Sequence, residues 1–197
     1  GWAQLLAVIA GFGFGNTVLR FVPQYLVKER KGFLKGIVNR SQQVVVAAGI
    51  VVFSAAALTL HLEESLLNEY GIALLVGIGS VPLLALMKVQ SAIIKSKKKI
   101  ALALVSPIVL WPVGTVALTY VLLQVSNAPG GLVALSALAS VLLLLCFFQF
   151  GAVRYVFEDR VWRVQAAFED RLWFATAFPL LIVAGFQIVL SRTDVVM

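Results

Sequence analysis

Apolar stretches of about twenty residues follow one another along the chain, and short polar or charged segments separate them. At ~1.5 Å per residue, roughly twenty apolar residues in a helix cross the ~30 Å hydrocarbon core of a bilayer. We therefore expect an all-α integral membrane protein of about six spanning helices. The pattern places them at residues 2–24, 41–62, 71–94, 100–125, 131–153 and 172–191.

The composition supports this fold class. Hydrophobic residues make up 61% of the 197 residues and charged residues 13%, and the mean hydropathy is +0.98. So small a polar fraction cannot cover a water-facing globule of this length. The composition leaves no room for a separate soluble catalytic domain, and it makes the lipid bilayer the first predicted partner.

Basic residues are concentrated in alternate connections between the predicted spans. Thirteen of the 16 lysines and arginines lie in residues 25–40, 95–99 and 154–171. The positive-inside rule predicts that these three connections are cytoplasmic. The net charge of +7 is then a topology signal, and no nucleic acid is expected as a partner. The first span would run inward from outside, so we expect a preceding helix and interpret the chain as a fragment.

The third basic connection contains a near repeat, FEDRVW at 157–162 and FEDRLW at 168–173. The offset is close to three helical turns, so a continuous helix would present both copies on the same face. That face would carry an apolar stripe beside balanced charges, as in an amphipathic helix that lies at the membrane interface or extends the sixth span. The stripe consists of Phe157, Val161, Val164, Phe168 and Leu172.

Polar residues within spans are functional candidates, because burying them in hydrocarbon is costly. Asn16, Arg20 and Gln24 follow one another at intervals of four and lie on one helical face. We expect this face to line the bundle interior or a water-filled cavity, and snorkelling of Arg20 to the interface is the alternative. Lys88 in the third span is a further candidate with the same alternative.

Residues typical of catalytic or metal centres are sparse. The single cysteine, Cys146, lies in an apolar run, the single histidine, His61, lies at a span edge, and no pair of carboxylates falls within a predicted span. We therefore predict neither an enzyme nor a metal or cofactor site. Gln149 and Gln187 are predicted to form hydrogen bonds between helices.

The order of three stretches resembles the polysaccharide flippases of the multidrug/oligosaccharidyl-lipid/polysaccharide exporter superfamily. Residues 11–23 (GFGFGNTVLRFVP), followed by a basic loop and GIVNRS at 36–41, look like that family's second helix and the start of its third. The runs VPLLAL and SAIIKSKKK, within residues 81–99, are similar to the fourth helix. WFATAFP at 173–179 with RTDVVM at 192–197 looks like the seventh.

The resemblance implies that the chain covers helices two to seven of a protein with twelve or more. Residues 1–153 would supply five helices of the N-terminal lobe, 154–171 a cytoplasmic connector, and 172–197 the first helix of the C-terminal lobe. The implied function is export of an anionic lipid-linked glycan across a bacterial inner membrane by alternating access.

The resemblance also implies roles for the polar candidates. Arg20 would attract phosphate or sugar, with Asn16 and Gln24 as hydrogen-bonding companions and Lys88 as a weaker second cation.

Three other functions stay open on the sequence alone. A purely structural membrane subunit is one, and the polar face of Asn16, Arg20 and Gln24 argues against it. A cation-coupled drug or metabolite antiporter of the same superfamily would usually carry a buried acid in one lobe. A membrane-embedded lipid-modifying enzyme would need paired acids or histidines at a span end. The glycan, the coupling ion and the oligomeric state are not predicted.

Overall fold

The computed structural model describes residues 11–62, 69–125, 130–157 and 159–193. Within these ranges the chain is helical and contains no strand, so the all-α fold class is confirmed. The helices in chain order are α1 (Phe14–Val27), α2 (Lys31–Leu62), α3 (Glu69–Ser96), α4 (Ile100–Val125), α5 (Gly130–Val156), α6 (Asp159–Arg163) and α7 (Asp170–Thr193).

Four segments in the described part of the chain are long and apolar enough to cross a membrane. They are Lys31–Ala55, Leu75–Ser96, Ile100–Val125 and Gly130–Val156. The chain is therefore a multi-pass membrane protein. Residues 2–10 of the first predicted span lie outside the described residues, and the total of six spans stays a prediction.

Helix α3 forms the centre of the bundle and packs against α1, α2, α4 and α5. In an apolar 18-residue stretch of α3, 61% of the residues are buried, compared with 11% in the corresponding stretch of α4. Because both helices are strongly apolar, this difference reflects their surroundings: α3 contacts protein, whereas α4 leaves most of its surface for lipid. Side chains placed on α3 therefore border several helices at once.

Helix α1 begins later than the sequence pattern predicts. Residues 11–13 form a turn, with φ of +47° at Phe12 and +69° at Gly13. These left-handed values cannot continue a right-handed helix, so the uninterrupted helix predicted over 2–24 is wrong at this turn. A Cβ atom at Gly13 would lie 2.3 Å from the carbonyl oxygen of Ala177, so glycine also permits α1 to approach the α7 backbone.

Helix α2 begins ten residues before its predicted start at residue 41. The predicted loop 25–40 is reduced to a tight turn in which Glu29 has φ of +53°. Leu34, Ile37, Val38 and Ser41 recur at helical spacing and are all buried. The high density of lysine and arginine in this stretch obscured that periodicity.

The connector between α5 and α7 is not the continuous amphipathic helix that the repeat predicts. Its only helical turn is α6, and residues 165–169 have no regular secondary structure; Glu158 lies outside the described residues. Phe157 and Val161 are buried, whereas Phe168 and Leu172 are about half exposed, so the predicted single stripe is wrong. The repeat instead produces two similar aromatic pairs, Phe157 with Trp162 and Phe168 with Trp173, each at 6.4 Å in edge-to-face geometry.

Contacts with α2 explain why residues 164–169 of the connector are not helical. The backbone N–H of Ala167 donates to the carbonyl oxygen of Gly32 at 3.0 Å. Lys35 Nζ donates to the carbonyl oxygens of Trp162 at 2.6 Å and Val164 at 3.0 Å. These tertiary bonds replace the helical bonds that residues 162–167 would otherwise make.

The hydroxyl of Tyr25 joins α1 to the start of α7. Trp173 Nε1 donates to Tyr25 Oη at 3.0 Å, and Tyr25 Oη donates to Glu169 Oε2 at 2.8 Å. Tyr25 and Trp173 are both buried, so an unpaired indole N–H there would be costly. The neighbouring pair of Arg40 and Asp170, 2.8 Å apart, is more exposed and contributes little.

We expect Tyr25→Phe to destabilise the protein by about 1–3 kcal/mol, because Trp173 Nε1 loses its acceptor. Thermal unfolding of the detergent-purified protein measures the change. Tyr155→Phe is the matched control, since Tyr155 is 81% exposed. Equal unfolding midpoints for the two variants would contradict this account of the junction.

Candidate functional site

A cavity of about 600 Å³ lies between α1, α3, α4 and α7. It extends from Lys95, next to the end of α3, to Gln187, which lies about 25 Å along α7 at ~1.5 Å per residue. Its lining combines small, apolar and polar residues: Gly11, Gly13, Gly15, Asn16, Leu19, Ala85, Lys88, Val89, Ser91, Ala92, Lys95, Pro107, Ala184 and Gln187.

Small residues create the space. Gly15 on α1 faces α3, where a Cβ atom built on it would be 4.0 Å from the Cβ of Ala92. On the α4 side the wall includes Pro107, which belongs to a π-helical stretch, Val105–Leu110. Such a widened turn is common where a proline removes a backbone donor, as Pro112 does in the next turn.

Two lysines give the cavity its charge. Lys88 and Lys95 are seven residues apart on α3, so both lie on one face and are separated by about 10 Å along the helix axis. The described lining contains no carboxylate to neutralise them. A cavity with positively charged lysines and apolar walls attracts anions. The low dielectric of the apolar walls strengthens the electric field of each lysine.

Ser91 lies on the cavity wall between the two lysines, and its hydroxyl is hydrogen-bonded to a side chain of α5. Gln149 Nε2 on α5 donates to Ser91 Oγ at 2.7 Å, and both side chains are buried. This bond confirms the predicted interhelical role of Gln149. Because the bond uses a lone pair of Ser91, the hydroxyl hydrogen stays available for an acceptor in the cavity.

The structure brings together two of the four predicted site residues. Asn16 and Lys88 line the cavity from α1 and α3, whereas Arg20 and Gln24 are not part of its lining. Asn16, Arg20 and Gln24 do share one exposed face of α1, and the guanidinium of Arg20 lies 5.7 Å from the centre of the Phe21 ring. The polar stripe therefore begins at the cavity and continues away from it.

Sequence reasoning missed Ser91 and Lys95 as members of the site. The charge pattern identifies Lys95 only as a topology signal, although its spacing of seven from Lys88 places both on one face. Gln187 was assigned to interhelical bonding, and the structure places it, exposed, at the far end of the cavity. The contribution of α7 to the wall could not be read from the sequence.

No group of three or more His, Cys, Asp and Glu residues in the described ranges is arranged to hold a metal ion. No family model, curated protein or solved structure matches the chain.

Proposed function

We propose that the chain forms part of a transporter that moves an anionic lipid-linked polysaccharide precursor across a bacterial inner membrane by alternating access. The observation that carries the proposal is the cavity between membrane helices that contains Lys88 and Lys95 without a carboxylate in its described lining. The resemblance of the three sequence stretches to polysaccharide flippases agrees with it.

The chemistry of the lining suits a lipid-linked pyrophosphate. Lysine ammonium groups form charge-assisted hydrogen bonds with phosphate oxygens, and these are about twice as strong as neutral ones. Asn16, Ser91 and Gln187 can hydrogen-bond sugar hydroxyls, which both donate and accept. The apolar surface of the cavity comes from Leu19, Val89 and the glycine and alanine residues of the lining. A polyprenyl chain can lie beside this surface and remain in lipid.

The arrangement of the basic connections supports a cytoplasmic location for one end of the bundle. Lys97 Nζ, between α3 and α4, lies 5.3 Å from the centre of the Phe157 ring at the end of α5. Tyr25 at the end of α1 contacts Glu169 of the connector. All three basic connections thus lie at the same end, and we place that end in the cytoplasm by the positive-inside rule.

The antiporter and the lipid-modifying enzyme have less support from the cavity. A cation-coupled antiporter needs an acidic group to hold its ion, and an enzyme that modifies lipids needs a general acid or base. The described lining offers neither a carboxylate nor a histidine.

Reconstitution of the full-length protein into proteoliposomes tests the proposal. A fluorescent polyprenyl pyrophosphate glycan in the outer leaflet should become protected from a membrane-impermeant quencher as it crosses. Protein-free vesicles provide the baseline. Movement of a cationic drug under a sodium or proton gradient, without movement of the glycan lipid, would support the antiporter instead.

Arg20→Ala provides a graded test of the polar stripe. Because Arg20 is exposed and lies outside the cavity, we expect a reduction of export of about twofold to fivefold, as for an approach path rather than the binding centre. Surface polysaccharide measured at matched expression is the readout. Normal export by Arg20→Ala would remove Arg20 from the transport path.

A further inference from the structure

A second recess follows the exposed face of α2, on a different set of residues from the cavity. It consists of three successive openings: the first and second share Asn39 and Gln42, and the second and third share Val46 and Ile50. We call it the α2 groove. Its α2 residues recur at helical spacing and span about 27 Å at ~1.5 Å per residue: Lys35, Asn39, Gln42, Val46, Ile50 and Phe53.

The end of the α2 groove nearest the basic connections is cationic. This opening, about 420 Å³ in volume, contains Lys35 and the exposed Arg154 of α5, together with a single acid, Asp159. Lys35 Nζ donates to two connector carbonyls, which leaves one of its three N–H groups free.

The middle of the α2 groove is lined by amides. Asn39, Gln42 and Gln43 occupy one to two turns beyond Lys35, and Val46 and Ala47 follow immediately. Side-chain amides can donate two hydrogen bonds each, which suits ester carbonyl oxygens. They lie roughly 6–12 Å beyond Lys35 along α2, at ~1.5 Å per residue.

The deep end of the α2 groove is apolar and open. Val46, Ile50 and Phe53 are 46%, 61% and 42% exposed, although they lie in a candidate spanning segment. Close contact of α2 with α3 forms the floor here, since a Cβ atom at Gly49 would meet the Pro82 Cβ at 2.2 Å. The remaining wall is aliphatic, and the opening has a volume of about 370 Å³.

We propose that the α2 groove binds one anionic glycerophospholipid of the surrounding bilayer. The phosphate lies at Arg154 and Lys35, the ester carbonyls lie at the amides, and one acyl chain follows the apolar end. Asp159 accepts hydrogen bonds from a hydroxylated headgroup such as glycerol, so phosphatidylglycerol is the fitting probe.

The order of chemistry along the groove favours a membrane phospholipid. Cation, amide and apolar surface succeed one another along α2 in the order in which phosphate, ester and acyl chain do in a phospholipid. The groove shares no lining residue with the cavity, so the inference does not depend on the proposed transport function. A bound headgroup would join α2 to α5 and to the connector.

Native mass spectrometry of the detergent-purified protein tests this site. With phosphatidylglycerol and phosphatidylcholine supplied at equal concentration, we expect tighter retention of phosphatidylglycerol. Arg154→Gln should weaken that retention about tenfold by removing a charge-assisted bond. Ala47→Phe fills the groove without changing its charge and should weaken it to a similar extent. Arg160→Gln, an exposed arginine outside the groove lining, should retain wild-type binding.

Three outcomes would overturn the inference. Equal retention of the two phospholipids by the wild-type protein would show that the headgroup charge is not recognised. Equal loss in Arg154→Gln and Arg160→Gln would indicate diffuse attraction to the basic surface. Displacement of phosphatidylglycerol by a polyprenyl pyrophosphate glycan at lower concentration would assign the groove to a lipid carrier. Circular dichroism and unfolding midpoints verify that each variant is folded.

Discussion

Lys88→Gln is expected to reduce translocation of a lipid-linked pyrophosphate glycan by roughly tenfold to a hundredfold. Loss of a hydrogen bond to a charged group costs about 1.5–3 kcal/mol, and each 1.4 kcal/mol changes an equilibrium constant about tenfold. Lys88 lies within a spanning helix and lines the cavity. Water therefore screens it less than it screens the lysines of the connections.

The matched control is Lys98→Gln. Lys98 is exposed in the turn between α3 and α4 and lies outside the cavity lining, so its loss changes the net charge equally. Proteoliposomes with equal amounts of each variant give the rates. Lys88→Arg should recover part of the activity, because it restores the charge. Equal rates for Lys88→Gln and Lys98→Gln would exclude Lys88 from the transport path.

Gly36→Val is expected to cause the largest loss of stability, about 3 kcal/mol. A Cβ atom at Gly36 would lie 1.9 Å from the carbonyl oxygen of Ala167 and 3.1 Å from the ring of Trp173. The nearer contact is with backbone, which cannot rotate away as a flexible side chain can, so α2 and the connector must separate. Buried Trp173 would then lose part of its packing.

Unfolding of detergent-purified protein, followed by circular dichroism, measures this loss. Gly151→Ala is the control, because no atom lies within 4 Å of a Cβ atom built there on α5. We expect it to change stability by less than about 1 kcal/mol. A midpoint for Gly36→Val equal to that of Gly151→Ala would show that the connector does not pack against α2 as described.

The sequence allowed the fold class to be predicted because hydrophobic length is a strong local signal. The helices over residues 100–125 and 130–156 match their predicted spans closely. The errors occur where tertiary contacts override local pattern. At Gly13 a left-handed turn interrupts α1, and along residues 164–169 bonds to Gly32 and Lys35 replace helical ones.

The candidate site was predictable only in part, for a related reason. Periodicity identified the exposed polar face of α1, and the rarity of charge within spans identified Lys88. Neither signal shows which helices meet around a cavity. Consequently Asn16 and Lys88 were named for separate reasons, while Ser91 and Lys95, which share the α3 face with Lys88, were missed.

We propose that the cavity between α1, α3, α4 and α7 binds an anionic lipid-linked headgroup. Equilibrium binding of a polyprenyl pyrophosphate glycan to detergent-purified wild-type protein and to Lys88→Gln tests it most directly. We predict saturable binding that weakens at least tenfold in Lys88→Gln and is retained in Lys98→Gln. Wild-type affinity in Lys88→Gln would contradict the claim.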